Sequence, residues 1–125
     1  MKLNLLITKI LIFATTWSWL LLCSTALAGT LVTKNFKITI NSNCQEGQVT
    51  CNNVSYEGVN LNTGKSIQLI GKTLHRTCAD GITPCRFIGY EFLNGNYRYI
   101  VTENGTLLVY EAEKLLLQES GTWQR

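Results

Sequence analysis

Between residues 88 and 110 apolar and polar side chains alternate, and two Asn-Gly pairs, Asn94-Gly95 and Asn104-Gly105, interrupt the alternation. A period of two puts successive side chains on opposite faces of an extended chain, and Asn-Gly supplies the φ > 0 that a two-residue hairpin turn needs. The pattern predicts three antiparallel strands in a meander. Taken as two-residue turns, the first pair sets Phe92 opposite Tyr97, Glu91 opposite Arg98, Tyr90 opposite Tyr99 and Ile88 opposite Val101. The second sets Val101 opposite Leu108, Tyr99 opposite Tyr110 and Arg98 opposite Glu111, in agreement with the first. One face then carries Ile88, Tyr90, Phe92, Tyr97, Tyr99, Val101, Leu108 and Tyr110, a surface suited to a core. The other places Arg98 between Glu91 and Glu111, beside Ile100, Leu107 and Val109. Cross-strand ion pairs contribute roughly 0.2–1 kcal/mol each, whereas a one-residue slip would turn the whole apolar set outward. The pattern therefore sets the register more firmly than the charges do.

Upstream the same reading gives more short strands. Residues 31–40 alternate at Phe36, Ile38 and Ile40 with Lys34 and Lys37 outside, and predict one strand. Residues 41–47 are turn-rich, 48–57 read as a second strand, and 60–65, with Asn62-Thr63-Gly64, as a turn. Residues 66–70 and 72–76 are short strands separated by Gly71, and 113–118 close the sheet. Ala112, Leu115 and Leu116 have helical spacing, so 111–118 could form a short helix, although the hairpin before it favours strand. The expected class is all-β: a small antiparallel barrel or sandwich with a C-terminal three-strand meander.

A second regularity runs through this pattern. The segments beginning at Cys44 and Cys78 align without gaps on C-x-[DE]-G-x3-C-x2-[VI]-x-Y-E, which pairs Cys44 with Cys78, Glu46 with Asp80, Gly47 with Gly81, Cys51 with Cys85, Val54 with Ile88, Tyr56 with Tyr90 and Glu57 with Glu91. The offset points to an internal duplication with copies at about 37–70 and 71–104. Two copies are too few for a solenoid, which needs at least ~3 repeats, so they are expected to form two halves of one sheet or barrel.

Composition changes this picture in two ways. Residues 1–28 read as a signal peptide: Lys2 and Lys9 precede an apolar run at 10–22, and Ala26-Leu27-Ala28 suits a signal peptidase. The run is too short for a membrane anchor, which needs ~20 apolar residues, so no stable span is expected after cleavage. The rest, 29–125, reads as a single secreted or periplasmic all-β domain. Without Lys2 and Lys9, nine of the eleven basic side chains remain against eight acids, a net charge of +1 that argues against nucleic-acid binding. A local electropositive patch from Lys65, Lys72, Arg76, Arg86 and His75 remains open.

Cleavage also removes Cys23 and leaves Cys44, Cys51, Cys78 and Cys85. An even count in an oxidising compartment reads as two disulfides, and four cysteines allow about three pairings. The repeat favours the local bridges, Cys44 to Cys51 and Cys78 to Cys85; bridges exchanged between the copies would also respect it. Zinc is a poor alternative, because both pairs are C-x6-C and structural zinc prefers C-x2-4-C. Neither metal nor cofactor is expected.

Little chemistry of catalysis can be assembled. His75 is the only histidine and Asp80 the only aspartate, with no nucleophile turn beside them. Glu57 and Glu91 could form a carboxylate pair, but Glu91 already faces Arg98. No enzyme is expected. Rigid loops lose little entropy on docking, so the expected role is protein binding through Glu46, Gly47, Asp80, Gly81, Thr83, Pro84 and Arg86, with an exported or envelope protein as partner and inhibition of a hydrolase as one form of it. Residues 82–87, Ile-Thr-Pro-Cys-Arg-Phe, resemble the reactive loop of Kunitz-type protease inhibitors, in which a basic residue follows Pro-Cys; the resemblance spans six residues, without the six-cysteine framework. It implies that Arg86 enters a trypsin-like pocket. The simpler reading is that Arg86 and Phe87 begin a strand. The alternative function is a structural or carbohydrate-binding envelope protein that uses an aromatic sheet face, Phe87, Tyr90, Phe92, Tyr97 and Tyr99. Two sequons, at Asn53 and Asn104, would accept N-glycans in a eukaryotic secretory pathway.

Overall fold

The computed structural model describes residues 28–124, so the expected signal segment lies outside the described residues except for Ala28. Among these residues nine antiparallel strands make one sheet: β1 (Ala28–Val32), β2 (Phe36–Ser42), β3 (Val54–Asn60), β4 (Ser66–Thr77), β5 (Pro84–Asn94), β6 (Tyr97–Thr102), β7 (Thr106–Glu111), β8 (Lys114–Ser120) and β9 (Thr122–Gln124). Each strand up to β8 pairs with the next, and β9 pairs back onto β1. Gly121 alone separates β8 from β9, so one kinked strand pairs first with β7 and then with β1, and the sheet curls into a nearly closed barrel. The seam needs glycine at this kink: a Cβ on Gly121 would lie 2.1 Å from the Val32 carbonyl oxygen. Of barrel and sandwich, the chain forms the barrel.

Two-residue alternation fills the interior. Ile38 and Ile40 of β2, Val54 and Tyr56 of β3, Phe92 of β5, Val101 of β6 and Leu107 and Val109 of β7 form the core with Leu31. Tyr56 packs tilted against Phe92, ring centroids 4.9 Å apart, and against Tyr99 at 5.7 Å. Burying a side chain of this size stabilises the fold by roughly 1.5–3 kcal/mol, so this row outweighs any surface pair. Among the described residues no helix is long and apolar enough to cross a membrane.

The meander differs from expectation at both turns. The first turn centres on Gly95-Asn96, so Asn94 pairs with Tyr97, Phe92 with Tyr99 and Glu91 with Ile100. Positive φ falls on Gly95 and not on Asn96, the type II′ pattern with glycine first. Moving the turn by one residue moves the pairing by two, which keeps Tyr90, Phe92, Tyr99 and Val101 on their expected face; at Ile88 the pairing of β4 with β5 shifts register, and Phe87 instead packs against Tyr90, ring centroids 5.3 Å apart. Arg98 still reaches Glu91 diagonally, Nε to Oε2 at 2.7 Å. The second turn has three residues, 103–105: the Gly105 amide donates to the Thr102 carbonyl at 3.0 Å and Gly105 has φ 94°. This type I turn with a following left-handed residue slips β7 by one position. Val101 pairs with Leu107 and Tyr99 with Val109, so Leu107 and Val109 enter the core while Leu108 and Tyr110 leave it. Glu111 lies opposite Tyr97 instead of Arg98, whose guanidinium sits 6.0 Å from the Tyr110 ring centroid. Tyr97, expected inside, is 40 % exposed at the hairpin tip.

Three strand boundaries also move. Residues 31–40 are broken by a turn at 33–35, where the Thr33 hydroxyl accepts the Phe36 amide at 3.0 Å. The second strand starts at Val54, leaving 48–53 in a loop. The segments 66–70 and 72–76 are one strand, β4, running through Gly71. Its first half pairs with β3 and its second with β5, so the single residue read as a separator is where the strand changes partner. The C-terminal segment is strand and not helix.

Candidate functional site: the disulfide-loop end of the barrel

Consecutive strands alternate in direction, which sends the loops at 43–53, 78–83 and 103–105 to one end of the barrel. The first two hold the cysteines. Both bridges are local, Cys44 to Cys51 with Cα atoms 5.8 Å apart and Cys78 to Cys85 with 5.1 Å. Two disulfides suit an oxidising compartment. Each loop turns at an acid-Gly pair whose glycine has positive φ, 90° at Gly47 and 76° at Gly81.

The loops are held by different means. In the second, Asp80 ties the turn: its Oδ1 accepts the amides of Ile82 and Thr83, both at 2.9 Å, and its Oδ2 accepts the Thr83 hydroxyl. Those bonds, the Thr83 hydroxyl first, hold the Asp80 carboxyl at about 2. Asp80 and Thr83, both expected as contact residues, therefore also build the loop. In the first loop Val49 stands where Thr83 stands in the second, and its anchor is Cys51 instead. The Cys51 amide donates to Thr73 Oγ1 at 3.0 Å, and the Thr73 amide returns a bond to the Cys51 carbonyl at 2.8 Å. Cys51 is 5 % exposed and belongs to the core. That anchor docks the first loop on β4, next to the second.

The two loops share a shallow cleft of about 700 Å³, with Cys44, Gln48, Val49 and Thr50 on one side and Thr83 and Pro84 on the other. Val49 is 69 % exposed and Ile82 84 %. Beside it a second cleft of about 630 Å³ runs from Arg76 and Arg86 to Thr102, Glu103 and Asn104. Arg76 on β4 and Arg86 on β5 occupy the stretch where pairing slips between His75 with Phe87 and Thr77 with Pro84. Neither guanidinium has an ion pair or side-chain hydrogen bond among the described residues. Both arginines are exposed and line the same cleft as Glu103. Arg86 lies within β5 and not on a protruding loop. His75 packs edge-on to Phe87, centroids 5.4 Å apart, with neither ring nitrogen partnered.

The expected basic patch thus divides. Arg76, Arg86 and His75 gather at the loop end; Lys72 pairs with Glu91 at 3.8 Å; Lys65 lies in the turn at the opposite end. Glu91, between Lys72 and Arg98, is fully engaged as an ion-pair residue. Sequence reading missed Gln48, Val49 and Thr50, which it placed in a strand, and it missed the opposite mouth of the barrel. The signal for that mouth was Gly58, a glycine at an inward position two residues after Tyr56. No cluster of three or more metal-ligating side chains occurs among the described residues. Comparison with protein-family models, curated proteins and solved structures finds no match.

Proposed function

We propose that this chain is an exported, non-enzymatic binding domain that grips an acidic patch on a protein partner with its disulfide-loop end. The observation that carries the reading is the unpartnered Arg76 and Arg86 pair, at the same end of the barrel as two loops that bridges, and in the second the Asp80 hydrogen bonds, keep in shape. A carboxylate-bearing surface would supply the partners these guanidiniums lack, and exposed Val49 and Ile82 would bury apolar area beside it. Preformed loops lose little entropy on docking. Inhibition of a hydrolase is the narrower form of this reading, in which the loops block a cleft.

The test is capture of exported proteins on immobilised oxidised protein, repeated with Arg76→Glu/Arg86→Glu and with reduced, alkylated cysteines. A partner retained by the wild type and lost from both altered forms supports the reading; a partner retained equally by all three removes it. Trypsin activity unchanged at micromolar protein would dispose of the trypsin-inhibitor version. The carbohydrate alternative has less support, because Tyr97 alone among the tyrosines of the expected aromatic face is strongly exposed.

A further inference from the structure

The loops at 61–65, 95–96 and 112–113 lie at the other end of the barrel. There the interior opens as a cavity of about 410 Å³, within the ~300–1,000 Å³ typical of small-molecule sites. Its floor is core: Tyr56, Leu107 and Val109 are 3 %, 1 % and 8 % exposed. Its rim, at Thr63, Lys65 and Ser66, is exposed. The cavity therefore grades from a dry apolar base to a wet polar lip.

The sequence builds this space at one position. On β3 the inward series Val54, Tyr56 continues to Gly58, where a Cβ would fall 2.6 Å from the Tyr56 hydroxyl oxygen and 2.8 Å from its ring. The ring of Tyr56 lies over the bare glycine backbone, and no side chain from Gly58 plugs the mouth. Burial and the neighbouring Tyr99 push the Tyr56 hydroxyl up, so it stays a neutral hydrogen-bond donor at any physiological pH. Lys65 is the one charged side chain lining the cavity among the described residues, and it has no ion pair among them.

The geometry points to a binding site for a medium-chain carboxylic acid, with its alkyl tail in the barrel mouth and its carboxylate at Lys65. The walls bury an uncharged chain, and the lone rim cation fixes the sign of the head group. A neutral amphiphile would leave Lys65 unused, and a cationic one would meet it as a like charge. This site is separate from the disulfide-loop end and stands or falls independently of it.

The test is calorimetric titration of the oxidised protein with decanoate and, in parallel, with decanol. Saturable one-to-one decanoate binding is expected. Lys65→Glu should weaken decanoate by about tenfold or more while leaving decanol unchanged, since it alters only an exposed charge in a turn. Ile67→Trp, which fills the wall, should abolish binding of both. Arg76→Glu/Arg86→Glu should alter neither, which keeps failure here distinct from failure at the loop end. No saturable decanoate binding up to about 1 mM would overturn the proposal. So would a Lys65→Glu variant that binds decanoate as well as the wild type, or one that loses decanol equally. Should Ile67→Trp fail to fold, the Lys65→Glu comparison decides alone.

Discussion

Replacing Glu119 should open the barrel at its seam. This carboxylate on β8 reaches across to the turn between β1 and β2: Oε1 accepts the Thr33 hydroxyl at 2.9 Å and the Asn35 amide at 3.1 Å, and Oε2 accepts Asn35 Nδ2 at 2.9 Å. Hydrogen bonds to a charged acceptor contribute ~1.5–3 kcal/mol each when buried; Glu119 is partly exposed, so about 1 kcal/mol per bond is the better figure. One of the donors keeps another partner, Thr33 Oγ1 to the Phe36 carbonyl at 3.3 Å. The expected loss for Glu119→Ala is therefore about 2 kcal/mol, not 3, or roughly 10 °C in Tm for a domain of this size. Burial pushes the Glu119 carboxyl up, but the bonds from Asn35 and Thr33, with Lys34 nearby, outweigh it and hold the group below its ordinary value. A carboxyl depressed in the folded state stabilises fully above its unfolded pKa and loses that contribution as pH falls through the folded value. Urea unfolding of wild type, Glu119→Gln and Glu119→Ala at a series of pH values between about 7 and 3 checks both points. Wild-type stability should fall below about pH 4.5 more steeply than that of Glu119→Gln, and the two curves should converge at low pH. A Glu119→Ala loss under about 0.5 kcal/mol, or parallel pH curves, would refute the seam argument.

Ala112 has φ 53° as the first of two central residues between Glu111 and Lys114; Ala112→Gly removes the Cβ penalty and should raise stability by about 1 kcal/mol in the same assay. The two disulfides span equal loops, worth roughly 2–3 kcal/mol each by closure entropy. Cys51 is a core residue whereas Cys85 is exposed, so Cys44→Ser/Cys51→Ser should lower Tm clearly more than Cys78→Ser/Cys85→Ser. Asp80→Ala should leave Tm nearly unchanged but speed hydrogen exchange at the Ile82 and Thr83 amides, and the wild-type Asp80 carboxyl should titrate near 2 by NMR; a normal titration would mean that the loop is not tied through Asp80.

The local bridges were legible because the repeat gives each cysteine a partner seven residues away. The second loop was legible as a loop, with Asp80-Gly81 as its turn, whereas residues 48–53 of the first were read as strand. The adjacency of the two loops was not legible. It depends on Thr73 of β4 binding Cys51, a contact between residues 22 apart that no local pattern encodes.

By itself the sequence determined the all-β class, the inward row of β2, the meander, the local disulfides and the second disulfide loop, because a period of two, turn residues and cysteine spacing are local and each carries its own energetic preference. It left the turns underdetermined: Asn-Gly and Gly-Asn are both good hairpin centres, and the choice between two and three residues at 103–105 reversed which side chains of β7 entered the core. Tertiary packing decided that choice: Leu107 and Val109 lie inside beside Val101, whereas Tyr110 in the interior would bring a hydroxyl that needs a partner. Packing also decided the closure. A last strand that bends at Gly121 from β7 to β1 joins residues about ninety apart in the chain, and only the assembled barrel brings Val32 close enough to require a glycine there.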